Sequence, residues 1–144
     1  MRRAVGSVVV RWLAMLALCS GVQPLVAAAP GHAPAARQAP SWGAIAATTG
    51  AHGYAFNQNS RATAERLARA QCEQAARRGG ATSTCEIRAY FERSCGALAT
   101  GNFGEWGAAY ALTADAAGKA AVAQCDSHLP TEPCKLAVSV CSAP

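Results

Sequence analysis

The sequence predicts an α+β domain, bridged by disulfides, in which a strand–strand–helix–strand unit is used twice, giving about six strands and two helices. Three observations predict it. Six cysteines follow residue 40. A segment that begins at Trp42 recurs, in order, from Cys95. Each copy runs from short apolar or aromatic stretches into an alanine-striped helix and back to a strand.

Residues 1–28 read as a secretory signal peptide. Arg2, Arg3 and Arg11 form the positive region, Trp12–Cys19 the apolar segment, and Val26-Ala27-Ala28 the small-residue cleavage site. Leu16-Ala17-Leu18-Cys19 resembles a lipobox, but Leu18 is bulky where a small residue is expected. Gln23 and Pro24 interrupt the apolar run, so no stable membrane span is expected once the signal is removed. Residues 29–40 hold three prolines, His32 and no large hydrophobe, and read as a Pro/Ala-rich tether. The bridged domain spans 41–144.

In the first copy, Trp42–Ala47 and Gly53–Asn57 are strands around a Thr48-Thr49-Gly50 turn. Ser60 caps a helix whose stripe is Ala64, Leu67, Ala68, Cys72 and Ala75. Glu65–Arg69 and Glu73–Arg77 stand in the favourable i,i+4 order, and Gly79-Gly80 ends the helix. Cys85–Phe91 alternates, placing Cys85, Ile87, Ala89 and Phe91 on one face and Glu86, Arg88 and Tyr90 on the other. In the second copy, Cys95–Ala99 and Trp106–Leu112 flank Gly101-Asn102. Thr113 caps a helix striped by Ala117, Ala120, Ala121, Gln124 and Cys125, and Cys134–Val140 is the last strand.

Aligned without gaps at an offset of 53, Trp42–Cys72 gives nine identities, six of them alanine. The stronger evidence is order: G-A-[IL]-A, then Ser60 or Thr113, then Gln71-Cys72 or Gln124-Cys125. The six cysteines Cys72, Cys85, Cys95, Cys125, Cys134 and Cys141 lack any C-x-x-C pair, which argues for structural bridges over zinc or redox chemistry. Six cysteines allow 15 pairings. Equivalence of the copies suggests Cys72–Cys85 and Cys125–Cys134, which leaves Cys95–Cys141.

The W-G-A-I-A segment at Trp42–Ala46, Gly53-Tyr54-Ala55-Phe56, Ser60-Arg61 with Ala64-Glu65, Cys72, Cys95-Gly96-Ala97-Leu98-Ala99 and Trp106-Gly107 resemble a family of small secreted bacterial proteins. That family is catalogued as domain of unknown function 4189. The resemblance implies an exported, cysteine-bridged domain and supplies no catalytic residues.

Composition excludes several function classes. Without the signal, ten basic residues face eight acids, which is too little charge to argue for nucleic-acid binding. No phosphate loop and no nucleophile elbow occurs. His32, His52 and His128 read as tether and turn histidines, and bridged cysteines offer no thiolate. Glu86 and Glu92 share one strand face, and Glu105 stands beside an aromatic. With 36 alanines in the chain, Trp42 and Trp106 are expected to fill the core. Tyr90, Phe103 and Tyr110, with Arg88 and Arg93, are the expected binding face, because Tyr, Trp and Arg anchor interfaces. The sequence thus reads as a non-catalytic exported protein-binding module, periplasmic or secreted, with no cofactor, no metal and no nucleic acid. Its partner would be a protein in or beyond the cell envelope. A small cell-envelope hydrolase and a periplasmic enzyme inhibitor or protective factor are the alternatives. The first would show a cleft where His52 or His128 meets a carboxylate.

Overall fold

A computed structural model describes residues 38–82 and 84–144. The expected signal peptide with Cys19, and the expected tether up to residue 37 with His32, lie outside the described residues. The element order is β1 (Trp42–Thr48), β2 (Ala51–Gln58), α1 (Arg61–Arg78), β3 (Glu86–Glu92), β4 (Cys95–Thr100), β5 (Trp106–Ala111), α2 (Ala114–Asp126) and β6 (Lys135–Cys141). Two antiparallel three-stranded sheets form, ordered β2-β1-β3 and β5-β4-β6. They pack face to face, with α1 on the outside of the first and α2 on the outside of the second. Each sheet therefore has one face toward its helix and one toward the other sheet.

The capping chemistry is the same in both halves. Ser60 Oγ accepts from the Thr63 N–H at 3.2 Å, and Thr113 Oγ1 from the Ala116 N–H at 3.3 Å. Gly79 closes α1, and Gly80 follows at φ 78°, a conformation that costs glycine little. Each repeated Gln-Cys pair has a structural task. Gln71 Oε1 accepts from the Tyr54 N–H at 2.6 Å, and Gln124 Oε1 from the Ala108 N–H at 2.9 Å. The glycine before each of these strand residues, Gly53 or Gly107, lies where a Cβ would collide with helix backbone: with Cys72 N and Ala68 O at Gly53, with Ala121 O and Cys125 N at Gly107. The helix thus rests on the strand without a side-chain spacer.

That contact explains which helix residues are buried. The observed stripes are Ala64, Ala68, Cys72 and Ala76 in α1, and Ala117, Gly118, Ala121 and Cys125 in α2. Leu67 is exposed, as are Ala120 and Gln124. The sequence stripe includes Leu67, but the gap admits alanine, glycine and bridged cysteine and excludes the leucine. Equivalence of Gly53 with Gly107 also corrects the ungapped alignment. The offset is 53 in β1 and β4 but 54 in β2 and β5, because the β4–β5 turn is one residue longer than the β1–β2 turn, and the extra residue of the β2 bulge near Asn57, at φ 55°, restores 53 in the helices.

A second bulge changes the reading of β3. Pairing with β1 shifts between Ile45–Ala89 and Ala46–Ile87, so Arg88 is the extra residue. Ile87 packs against the α1 core, while Phe91 enters the core between the sheets. The expected alternation over Cys85–Phe91 therefore breaks at Arg88, and Glu86 and Glu92 fall on opposite faces. In β6 the same shift occurs between Leu98–Val138 and Ala99–Leu136, making Ala137 the counterpart of Arg88. The Phe91 ring lies where a Cβ on Gly43 or Gly96 would stand, which accounts for the glycine that follows the first residue of both central strands.

Three disulfides close the fold: Cys72–Cys85, Cys125–Cys134 and Cys95–Cys141. The first two tie each helix end to the strand after it. The third joins neighbouring positions on β4 and β6. Among the described residues no helix is long and apolar enough to cross a membrane.

Two outcomes follow from this packing. Replacing Cys95 and Cys141 together by serine opens the longest loop, of 46 residues. It should cost about 4 kcal/mol in urea unfolding, against about 3 kcal/mol for either shorter bridge. Gly53→Ala and Gly107→Ala should each destabilise by about 1–3 kcal/mol in the same measurement, because the added methyl forces the helix off its sheet.

Candidate functional site

The duplication creates two equivalent seams where edge strands of the two sheets meet: β2 against β6, and β3 against β5. They have been treated differently. The β2–β6 seam is clasped by Asn57. Its N–H donates to Ser142 Oγ at 3.2 Å, and its Oδ1 accepts from the Ala143 N–H at 2.6 Å and from Ser41 Oγ at 3.3 Å. The left-handed backbone that this requires is one that asparagine tolerates well. Each sheet extends its ladder by one equivalent bond, Arg93 N–H to Ser41 O beyond β1–β3 and Ser142 N–H to Ser94 O beyond β4–β6, each at 2.9 Å.

The β3–β5 seam has no such clasp and opens as a groove of about 640 Å³. Its floor is the free edge of β3 from Ile87 to Glu92. One wall is the first half of α1, with Arg61, Glu65 and Arg69, and the other is Ala108–Tyr110 of β5. Arg61 lies 3.3 Å from the Tyr90 ring centroid and bonds Glu65 at 2.6 Å. The Glu65 hydrogen bond, with the nearby carboxylate charge, raises the Arg61 guanidinium above its ordinary value, so the cation on this rim is permanent. Tyr110 is 70% exposed and Tyr90 44%. Trp42, half-buried against the α1 core, lines the same groove.

Of the expected binding face, Tyr90, Tyr110 and Arg88 thus come together. Phe103 does not join them: it stands 77% exposed in the β4–β5 loop, where its N–H donates to Glu105 Oε2 at 2.8 Å. Arg93 is also elsewhere, in the β3–β4 turn, with its guanidinium donating to the Ala39 carbonyl and the Gln38 side chain.

A second concavity of about 500 Å³ lies between the two hairpins, at the end of the inter-sheet core. It contains Leu98, Ala47, Thr48, Thr100, Asn102, His52, Glu105, Arg88 and Trp106. Two expectations change here. His52 belongs to β2, where it pairs with Ala47, and is not a turn residue. Trp106 is not core: it is 36% exposed on the cleft wall, with the Arg88 guanidinium 4.2 Å from its ring centroid. Gly107, not Trp106, faces α2, so Trp106 turns to the other side of the strand. His52 and Glu105 share the cleft, but no hydrogen bond joins them among the described residues. His128 is exposed after α2. All six cysteines of the domain are in disulfides, so none offers a thiolate. No group of three or more His, Cys, Asp or Glu that could hold a metal ion occurs among the described residues.

The family model described as Domain of unknown function (DUF4189) matches residues 42–141, from the start of β1 to the end of β6. The chain belongs to the DUF4189 family. No curated protein and no solved structure matches it. The DUF4189 match covers both copies of the repeat, so the clasped seam, the open seam and the hairpin cleft all lie within the DUF4189 region.

The clasp is the missed residue set. Its one sequence signal was asparagine at a strand end, a residue suited to positive φ. Asn57→Gly keeps the backbone conformation and removes the side-chain bonds. It should destabilise the domain by about 1–2 kcal/mol, and the Ala143 amide should exchange measurably faster in hydrogen exchange.

Proposed function

We propose that this chain is an exported, non-catalytic module that binds another protein across the β3–β5 seam. The observation that carries this reading is the inequality of the seams: one is clasped by Asn57, and its counterpart is left open beside an unpaired strand edge. An extended partner segment could extend the sheet at β3, its backbone pairing with the free edge and its side chains lying between Trp42, Tyr90 and Tyr110. Those residue types supply large contact area, and Arg61 adds a fixed donor at the rim. The basic and acidic groups of the groove nearly balance, so a contact driven by aromatic burial fits better than one driven by net charge. Three disulfides support folding in an oxidising space, the periplasm or the exterior.

The test is capture of partners from periplasmic extract on the oxidised protein. A protein enriched by the native chain should be lost more than tenfold with Tyr90→Ala/Tyr110→Ala. Phe56→Ala, at the clasped seam, should retain it. Equal capture by the groove variant, or no enriched protein at all, overturns the reading.

A further inference from the structure

The hairpin cleft is a second place where the two halves differ. Its lining includes equivalent positions from both: Ala47 and Thr100, His52 and Trp106, Arg88 and Ala137. Where β3 meets β5, the Arg88 cation of the first copy lies over the Trp106 ring of the second. Where β6 meets β2, Ala137 and His52 hold the same positions. The cleft is bounded by the Arg88–Trp106 pair at one seam and by the smaller Ala137–His52 pair at the other.

Arg88 is the extra residue of the β3 bulge, with no partner of its own on β1. The re-aimed side chain is incompletely satisfied. Nη1 is held by Glu86 Oε2 at 2.8 Å, but Nε is buried and has no hydrogen-bond partner. A buried guanidinium donor without an acceptor is unfavourable, and folded proteins rarely leave one. The Glu86 carboxylate is 68% exposed, so its hold is weakened by solvent and the head can turn. The other charge on the cleft is Glu105. Its Oε2 is turned back into its own loop, accepting from the Phe103 N–H at 2.8 Å and covering Gly101. The Asn102 amide nitrogen is likewise committed, to Thr131 Oγ1 at 2.9 Å. Thr48, Thr100 and His52 remain as polar neighbours, and Leu98, Ala47 and Ala137 give an apolar floor.

We propose that this cleft binds a small organic carboxylate, with the Arg88 head turning to bring its buried Nε edge to the carboxylate and the apolar body lying against Trp106 and Leu98. A planar carboxylate matches the guanidinium fork in a way that a point cation or a hydroxyl does not. The volume, about 500 Å³, lies in the range of small-molecule sites. The site shares Arg88 with the β3–β5 groove, but it is argued apart from the protein-binding reading. It is probed by small molecules and by residues outside the tyrosine pair, so either proposal can fail alone.

Benzoate is the probe, with benzyl alcohol as its neutral counterpart and inorganic phosphate as a non-planar oxyanion. The oxidised full chain is followed by the 1H–15N resonances of the Arg88 Nε and Trp106 indole groups. Benzoate should shift both saturably, with half-saturation on the order of 10 mM or tighter. Benzyl alcohol and phosphate should bind at least tenfold more weakly. Arg88→Lys, which keeps the charge and loses the fork, should weaken benzoate at least tenfold. Ala137→Leu, which fills the cleft from the other half without touching Arg88, should abolish the shift at Trp106 while far-ultraviolet circular dichroism stays native. Equal binding of benzyl alcohol or phosphate, unchanged binding in Arg88→Lys, or no saturable shift with benzoate overturns the proposal.

Discussion

Close contact between helix and sheet, with glycine on the strand at the crossing and alanine or bridged cysteine on the helix, governs this structure. Gly53 and Gly107 remove the strand side chain at the crossing, and Ala64, Ala68, Ala117 and Ala121 supply the helix side. Small residues at such a crossing give dense packing, but each buries little apolar area, so the hydrophobic term is modest for a domain of this size. The bridges offset this by restricting the unfolded chain. Two of them start from the same helix stripe, at Cys72 and Cys125. The larger side chains that remain inside, Ile45, Leu98 and Phe91, are concentrated between the sheets. There they hold the two halves together.

Duplication supplies the scaffold, and departures from symmetry supply the surfaces. A perfect repeat would give two identical seams and a cleft with matched walls. Here Asn57, an insertion in one copy, closes one seam. Arg88, whose bulge is shared by both copies, faces alanine in the other. The bulges are older than the asymmetry in this sense: the backbone device is repeated, while the residue placed on it is not. A bulge that re-aims a side chain is a common way for a sheet to present a polar group at its rim.

The proposed function draws on recognition chemistry. Sulfur is committed to bridges. Cations at the rims are arginines held by neighbouring carboxylates or rings, at Arg61 beside Glu65 and Tyr90, and at Arg88 beside Glu86 and Trp106. Such arrangements fix donors in space and present flat surfaces to a partner.

Local chemistry in the sequence determined the α+β class, the element order, both helix caps and, through the repeat, the three cysteine pairs. These depend on residues near each other in the chain or on copies that can be compared by eye. The family of the chain was legible for the same reason, since its motifs are short and ordered. What the tertiary structure decided was which face each side chain took. Leu67 was excluded from the helix stripe by the closeness of β2, a distance set by Gly53 far away in sequence. Trp106 left the core because Gly107 took the contact with α2. Arg88 and the acids around it changed faces through a bulge of one residue, which alternation cannot register, because a single extra residue inverts the side of everything beyond it. The open groove and the hairpin cleft exist only where two sheets meet, and no segment of the chain carries that meeting by itself.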